Sequence, residues 1–317
     1  QLIVSAREIN KFHGTFLSSI MKYQVNGRIH GEINQLRGDN GGTVSGRLSM
    51  SNPNLQQVPA RNKDFGPKIR SLFIPEEGYK WGSFDYSQQE PRMTVHYAAS
   101  IGDGYEGSNE LVKAYQNASA DFHQTVADLV GIERTQAKTI GLGLMYGMGK
   151  QKLAISLGVS KDEANELIIK YNKKVPFVKK LSDRCKFAAD EKGVIRTKKG
   201  RKCRFDMWET RDFGLHVAEK YEDAVAKYGK DNIKRAFTYK ALNRLIQGSS
   251  ADQTKQSMLD CYENGNLPIL QIHDELCFNV VDKKHAEDIK KTMQNAIEFK
   301  VPSVVDYGLG ESWGDAK

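Results

Sequence analysis

The stretch LPILQIHDELCFNVV, residues 267–281, reads as two apolar strand segments broken by three polar residues. Leu267, Ile269, Leu270 and Ile272 precede the break, and Leu276, Phe278, Val280 and Val281 follow it. His273, Asp274 and Glu275 fill the break, with no Gly or Asn to make an ordinary tight hairpin turn. A His and two acids at the tip of a strand pair that wants burial ask for a chemical reason. A second acid offers one, because YKWGSFDYS, residues 79–87, reads as a short apolar strand that ends in Asp85. Acids at strand ends within a cluster of strands can converge, and they repel each other unless a cation sits between them. Two divalent ions bridged by such carboxylates form the usual clamp for in-line phosphoryl transfer. Mg²⁺ suits that role, with oxygen ligands completed by substrate phosphates. Taken singly, either Asp reads equally well as a turn residue or a cap.

Working outward, 317 residues are enough for one large domain or two coupled lobes with a good core. Lys and Arg number 47 against 39 Asp and Glu, a net charge of +8. That excess favours a polyanionic partner, nucleic acid above all. The four cysteines (Cys185, Cys203, Cys261 and Cys277) form no CxxC pair and have no His at zinc spacing. A reducing compartment is the expectation. No signal peptide and no bilayer-length apolar run is present, so no membrane partner is expected.

Residues 1–24 are expected to be helical, with Ile3, Phe12, Phe16, Leu17 and Ile20 as apolar points. Residues 38–62, GDNGGTVSGRLSMSNPNLQQVPARN, hold too few apolar residues to pack alone. They read as a linker or as an ordered loop that meets a ligand; Arg47 and the amides Asn52, Asn54, Gln56 and Gln57 favour the loop. The pattern is helical from about 109 to 191. Ser160 caps a helix whose Ala164, Leu167, Ile168 and Tyr171 share one face, and Pro176 opens another that Gly193 ends. RTKKGRKCR, 196–204, is a basic turn, either solvated or meeting phosphates. A long helix over 234–263, a helix over 283–298 and a short tail complete the chain. Strands thus cluster near 70–86 and 268–282, with an all-helical block between them.

Within that block, ERTQAKTIGLGLMYGMG puts Arg134, Lys138, Leu142 and Tyr146 four residues apart, each turned about 40° from the last on a helix. Two cations one turn apart suit a triphosphate, and the apolar residue beyond suits a base or sugar. The same face also reads as solvated cations over a Leu/Tyr core stripe. Gly141, Gly143 and Gly147 weigh against that, since each weakens a helix by roughly 1 kcal/mol relative to Ala. Such a cost is tolerated where something must approach the backbone closely.

Taken together, DYSQQEPR (85–92), RTQAKTIGLGLMYG (134–147) and QIHDE (271–275) resemble the three polymerase motifs of the family A DNA polymerases. That group comprises bacterial DNA polymerase I and phage replicases. TVSGRLSMSNPNLQQVP (43–59), DFHQTVA (121–127), ALNRLIQGSSAD (241–252) and GLGESW (308–313) match as well. The resemblance implies an α+β right-hand fold, an antiparallel palm sheet backed by helices, with an all-helical fingers subdomain. The palm is expected over 25–95 and 236–317, the fingers over 96–235, and a thumb-to-palm connecting helix over 1–24. The thumb and a proofreading domain are expected to lie mostly before residue 1, making the chain a fragment.

By the same resemblance Asp85, Asp274 and the backbone carbonyl of Tyr86 hold two Mg²⁺ ions, with Glu275 behind them. Arg134 and Lys138 grip the triphosphate, with His123 and Gln88 close by, and Lys138 protonates the leaving pyrophosphate. Glu90, paired with Tyr146, excludes a ribose 2′-hydroxyl. Arg47, Asn54, Gln56, Asn243, Gln247 and His273 contact primer–template DNA, largely in the minor groove, where correct pairs look alike. The implied partners are primer–template DNA and dNTPs, with any processivity factor unidentified. Leu142 departs from the family's usual Phe or Tyr, Pro91 and Gln89 from apolar residues, and Thr135 from a second Arg. Two other readings stand beside the polymerase core. One is a fragment that binds primer–template but needs its thumb for turnover; the other is a single-subunit RNA polymerase, against which Glu90 argues.

Overall fold

The computed structural model describes every residue except 1, 37–41, 60, 61, 63, 118, 119, 213, 215 and 317. Parts of the Gly/Asn/Ser-rich loop (38–41, 60 and 61) therefore lie outside the described residues. The chain forms two compact units: Gln1–Ser87 with Ser250–Glu298 and Ser303–Lys317, and Gln88–Ser249 with Phe299–Pro302.

The first unit is built on a four-stranded antiparallel sheet. Its strands are β1 (Lys80–Tyr86), β2 (Pro268–Ile272), β3 (Glu275–Val280) and β4 (Val305–Gly310), in the order β2–β3–β1–β4. Both faces are buried, which is why its strands read as nearly continuous apolar runs. One face packs Trp81, Leu270, Ile272 and Cys277 with Phe16, Ile20 and Trp313. The other packs Phe84, Tyr86, Leu276, Phe278 and Val280 with Ile289 and Met293 of the helix Lys283–Asn295. The tail expected after residue 298 contains β4, whose Val305, Tyr307 and Leu309 alternate onto that second face.

One local expectation changes, and the choice between linker and ordered loop resolves as the favoured ordered segment. The N-terminal helix switches to a π-helical stretch over Phe12–Ser18. The altered winding buries Phe16 and Ile20 while Ile3 and Leu17 stay exposed. The segment after residue 42 is an ordered structure: Ser49–Ser51 pairs with Glu32–Asn34, and Asn54 caps the short turn Leu55–Gln57 by accepting from the Gln56 N–H.

The second unit is mainly helical. It contains α1 (Gln89–Ala99), α2 (Phe122–Val130), α3 (Arg134–Met145), α4 (Pro176–Lys192) and the first turns of α5 (Ala241–Glu263). Ile140, Leu153, Tyr171, Leu181 and Leu242 lie in its core. The capping box of Ser160 with Glu163 and the left-handed Gly193 after α4 stand where the sequence puts them. The block is not all-helical, however. Val194–Arg196 pairs with Lys202–Arg204, and Trp208–Thr210 with Ile233–Arg235. That second ribbon uses residues assigned to the long helix, which consequently starts at Ala241 instead of 234. Phe299–Pro302 belongs to this unit because Val301 enters its core and Arg92 Nη1 donates to the Pro302 carbonyl at 3.0 Å.

Candidate active site

Asp85 stands directly across from Glu275 on β3 and from Asp306 on β4. Directly opposed residues in antiparallel strands share a face, so three acids form a row at one end of the sheet. Asp274 follows immediately, in the turn between β2 and β3. That turn holds only His273 and Asp274, since Ile272 pairs with Glu275. It is a tight hairpin after all: His273 supplies the positive φ (57°) that Gly or Asn would ordinarily give. The strained backbone is held in place. Gln271 Nε2 donates to the His273 carbonyl at 2.7 Å, Gln56 Nε2 donates to Gln271 Oε1 at 2.8 Å, and the Tyr86 N–H donates to the Asp274 carbonyl at 3.4 Å.

The Asp85 carboxyl is pushed up to about 7, first by the protein around it and then by Asp274, Glu275 and Asp306. Solvent still reaches the side chain, so the crowding of like charges is the part of this shift that a cation would relieve. Burial also raises the Asp274 carboxyl, against the pull of Arg47 and His273. Among the described residues no three His, Cys, Asp or Glu side chains are grouped to hold an ion by themselves. The donor set is therefore a pair of charged oxygens with room for non-protein ligands, which fits Mg²⁺ better than a closed protein cage. Tyr86 anchors β1 through its hydroxyl, which contacts Ser257 Oγ and the Met293 carbonyl, both at 2.5 Å.

In the helical unit, Arg134, Lys138, Leu142 and Tyr146 share the outward face of α3 and its C-cap. Lys138 is exposed and makes no hydrogen bond or ion pair with the described residues. Arg134 is engaged: its Nε and Nη2 donate to Asp121 Oδ2 at 2.8 and 2.6 Å. Asp121 Oδ1 caps α2 by accepting from the His123 and Gln124 N–H groups. Burial opposes ionisation of Asp121, but the Gln124 amide and Arg134 together hold its carboxyl below the usual range. His123 is buried, its Nδ1 has no hydrogen-bond partner among the described residues, and its pKa is lowered to about 4. Burial is the main cause, Asp121 opposes it, and Lys138 and Arg134 add to it. Tyr146 donates its hydroxyl to Glu90 Oε2 at 2.7 Å.

Gln88 carries a structural load. It sits at φ 52°, accepts the Phe122 N–H at 2.8 Å, and donates to the Ala120 carbonyl at 3.1 Å. The α3 glycines also change meaning. A Cβ on Gly141 would meet the Tyr171 hydroxyl at 3.0 Å, and one on Gly143 would meet Leu153 and Met148 at 3.3 Å. The close approach there is made by the protein's own side chains. Asn243 and Gln247 lie one turn apart on the half-exposed side of α5, in the helical unit. Arg47, Asn54, Gln56 and His273 lie in the sheet unit. Sequence reasoning missed Asp121 and Asp306. The first was visible as a cap ahead of the FHQ run; the second needed the strand register.

Comparison with known proteins gives this geometry a lineage. A Pseudomonas phage M6 protein named DNA-directed DNA polymerase is 39% identical, over 99% of this chain and 51% of that protein. DNA polymerase I of Pseudomonas aeruginosa is 32% identical over the whole chain and 33% of its own length. The chain thus spans about half the length of its phage relatives and about a third of the bacterial ones. Among solved structures, the POL domain of Pol1 from M. smegmatis, in complex with DNA primer-template and dNTP, aligns with a TM-score of 0.79 and 27% identity. That alignment covers 99% of this chain and 53% of that one. The model of DNA polymerase family A matches residues 1–315, and the chain belongs to that family.

Proposed function

We propose that the chain is the catalytic core of a template-directed DNA polymerase that adds dNTPs to a primer 3′-hydroxyl. The observation that carries this reading is the placement of Asp85 beside the His273–Asp274 turn, in a row of acids whose mutual repulsion a bound cation would relieve. Asp85 and Asp274, with the Tyr86 carbonyl, are the residues that would hold two Mg²⁺ ions. When bound, those ions supply Lewis-acid stabilisation of the attacking and leaving oxygens. The primer oxygen forms the new bond to the α-phosphorus as the bond to pyrophosphate breaks.

The protein's own residues bind and position. Lys138, whose side chain makes no hydrogen bond or ion pair among the described residues, is the triphosphate ligand and the acid that protonates the departing pyrophosphate. Arg134 and His123 bind the same phosphates, and the unpartnered Nδ1 of a neutral His123 is suited to a phosphate hydroxyl or oxygen. Leu142 gives the base apolar contact, and Glu90 with Tyr146 closes the space a 2′-hydroxyl would need. Arg47, Asn54, Gln56, Asn243, Gln247 and His273 hold the duplex. Positioning and charge neutralisation, not covalent catalysis, provide the rate.

The test is extension of a labelled primer–template at low salt with Mg²⁺ and dNTPs, beside Asp274→Asn. Extension that is lost in the variant supports the reading. Duplex binding without extension leaves the chain a primer–template-binding unit, and extension that survives in Asp274→Asn overturns the assignment of the acids.

A further inference from the structure

The helical unit carries an open cavity of about 360 Å³ away from the face of α3. Its floor is apolar, made by Ile101, Leu181, Cys185, Ala188, Ile195 and Leu245. Its rim carries Arg184 and Lys192 from α4 and Arg196 from the ribbon strand that follows. None of these three cations makes a hydrogen bond or ion pair with the described residues. Of the acids of α4, Asp183 is paired with Lys179 at 2.8 Å and Asp190 with Lys186 at 2.5 Å, while Glu191 is exposed and makes no ion pair among the described residues. Three rim cations against the single unpaired acid Glu191 still leave positive charge at the cavity for something outside the chain.

Two further features narrow what that is. Arg184, Ala188 and Lys192 succeed one another at four-residue steps, so cation, floor and cation lie along one line of the helix, about 6 Å per step. Phe187, on the same helix, leaves 67% of its surface exposed, and the Tyr97 ring lines the cavity. Beyond Arg196 the ribbon continues with Lys199 and Lys202, both exposed. Aromatic surfaces beside a row of cations form the arrangement that holds unpaired nucleotides, with bases against rings and phosphates on the cations. A lone anion has no use for the apolar floor, and a lipid chain would need a deeper, more enclosed one.

We propose that this cavity is a binding site for single-stranded nucleic acid, a few nucleotides long, on the helical unit. The proposal rests on the reading of the chain as acting on nucleic acid, yet it concerns binding and needs no catalysis. It places the unpaired part of the substrate on α4 and the basic ribbon.

The test is photo-crosslinking of a 4-thiothymidine-containing oligo(dT) to the protein, with the crosslinked peptides mapped, alongside affinity measurements against salt. Crosslinks falling within residues 181–202 are expected. The variant Arg184→Gln/Lys192→Gln/Arg196→Gln should bind at least about tenfold more weakly. Its log–log salt slope should be flatter by about 2, at ~0.7 per lost phosphate contact on a single strand. Ala188→Trp, which fills the floor, and Phe187→Ser, a surface change with little folding risk, should weaken binding without flattening the slope. Three results overturn the proposal: crosslinks elsewhere, a charge-only effect that neither Ala188→Trp nor Phe187→Ser shares, or equal competition by polyglutamate of matched charge. Primer extension by the wild type tests the polymerase reading separately, so failure of one is not failure of the other.

Discussion

Arg134 and Asp121 share an ion pair at 2.6 Å in which one carboxylate does two jobs, holding the guanidinium through Oδ2 and capping α2 through Oδ1. A guanidinium committed to an internal acid must leave it, or share it, to bind phosphate. Asp121→Asn keeps a cap acceptor but removes the charge. We expect dNTP affinity to rise several-fold, with the melting temperature little changed. Asp121→Ala should cost about 1 kcal/mol of stability through the lost cap. Nucleotide titrations and thermal melts decide this, and weaker binding in Asp121→Asn would show that the pair orients Arg134 instead of competing for it.

The His273–Asp274 turn stores strain. A non-glycine residue at positive φ costs on the order of 1 kcal/mol, and the Gln56–Gln271 chain keeps it there. His273→Gly is expected to hold or raise the melting temperature while primer extension falls, because the relaxed tip no longer fixes Asp274. Gln271→Leu should lower stability by about 1–2 kcal/mol, since it leaves the His273 carbonyl without this donor and the Gln56 amide with only its 3.4 Å bonds to the carbonyls of Leu48 and residue 271. A His273→Gly protein that is both less stable and fully active would refute the strain argument.

The same corner of the sheet also shows where sequence reading stops. Asp85 and Asp274 were legible because each interrupts or ends an apolar run, and the α3 face because its period is fixed by helix geometry. Asp306 was not, since its meaning depends on β4 pairing with β1, a contact between residues far apart in the chain. His273 hid a tight turn because positive φ is written in the sequence only when Gly or Asn occupies it. Gly141 and Gly143 signalled close approach correctly, but only packing against Tyr171 and Leu153 says what approaches. The basic ribbon looked like a loop because three-residue strands leave almost no periodic signal.

Stability should depend on pH through two buried histidines. His96 is lowered to about 4 by burial and by Lys198 and Lys300, and His123 is also lowered to about 4, chiefly by burial. The His96 Nδ1 accepts the Lys300 N–H at 3.1 Å, a bond that protonation would abolish. Both folded values lie below the unfolded one near 6.5, so between about 6.5 and 4 the unfolded chain binds more protons. The histidines' contribution to stability is full above that window and declines as pH falls through it, by up to ~3 kcal/mol each. Asp85, held up to about 7, and Asp274, also raised, act in the opposite sense over the same range. The histidines therefore show as a difference: from pH 7.5 to 4 the urea midpoint of His96→Gln and of His123→Gln should gain on that of the wild type. Equal steepness in all three proteins would rule out these groups as the source.

The hydrogen bond from Tyr146 to Glu90, 2.7 Å long, connects the end of α3 to the first turn of α1. Under the proposed function it fixes a carboxylate where a ribose 2′-hydroxyl would have to fit. Glu90→Ala removes the bulk and the charge together, and discrimination against ribonucleotides is expected to fall at least about tenfold. Tyr146→Phe removes only the donor, leaving the carboxylate in place but less fixed, so a smaller loss is expected. Leu142, half-buried one turn before Tyr146, offers apolar contact without a ring. Leu142→Phe should tighten dNTP binding, with base stacking worth about 1–3 kcal/mol in comparable settings, and should ease incorporation of chain terminators. Single-nucleotide insertion kinetics with dNTP, rNTP and ddNTP separate these effects. Selectivity unchanged in Glu90→Ala would remove the gate from this pair and leave the Tyr146–Glu90 bond a purely structural tie between two helices.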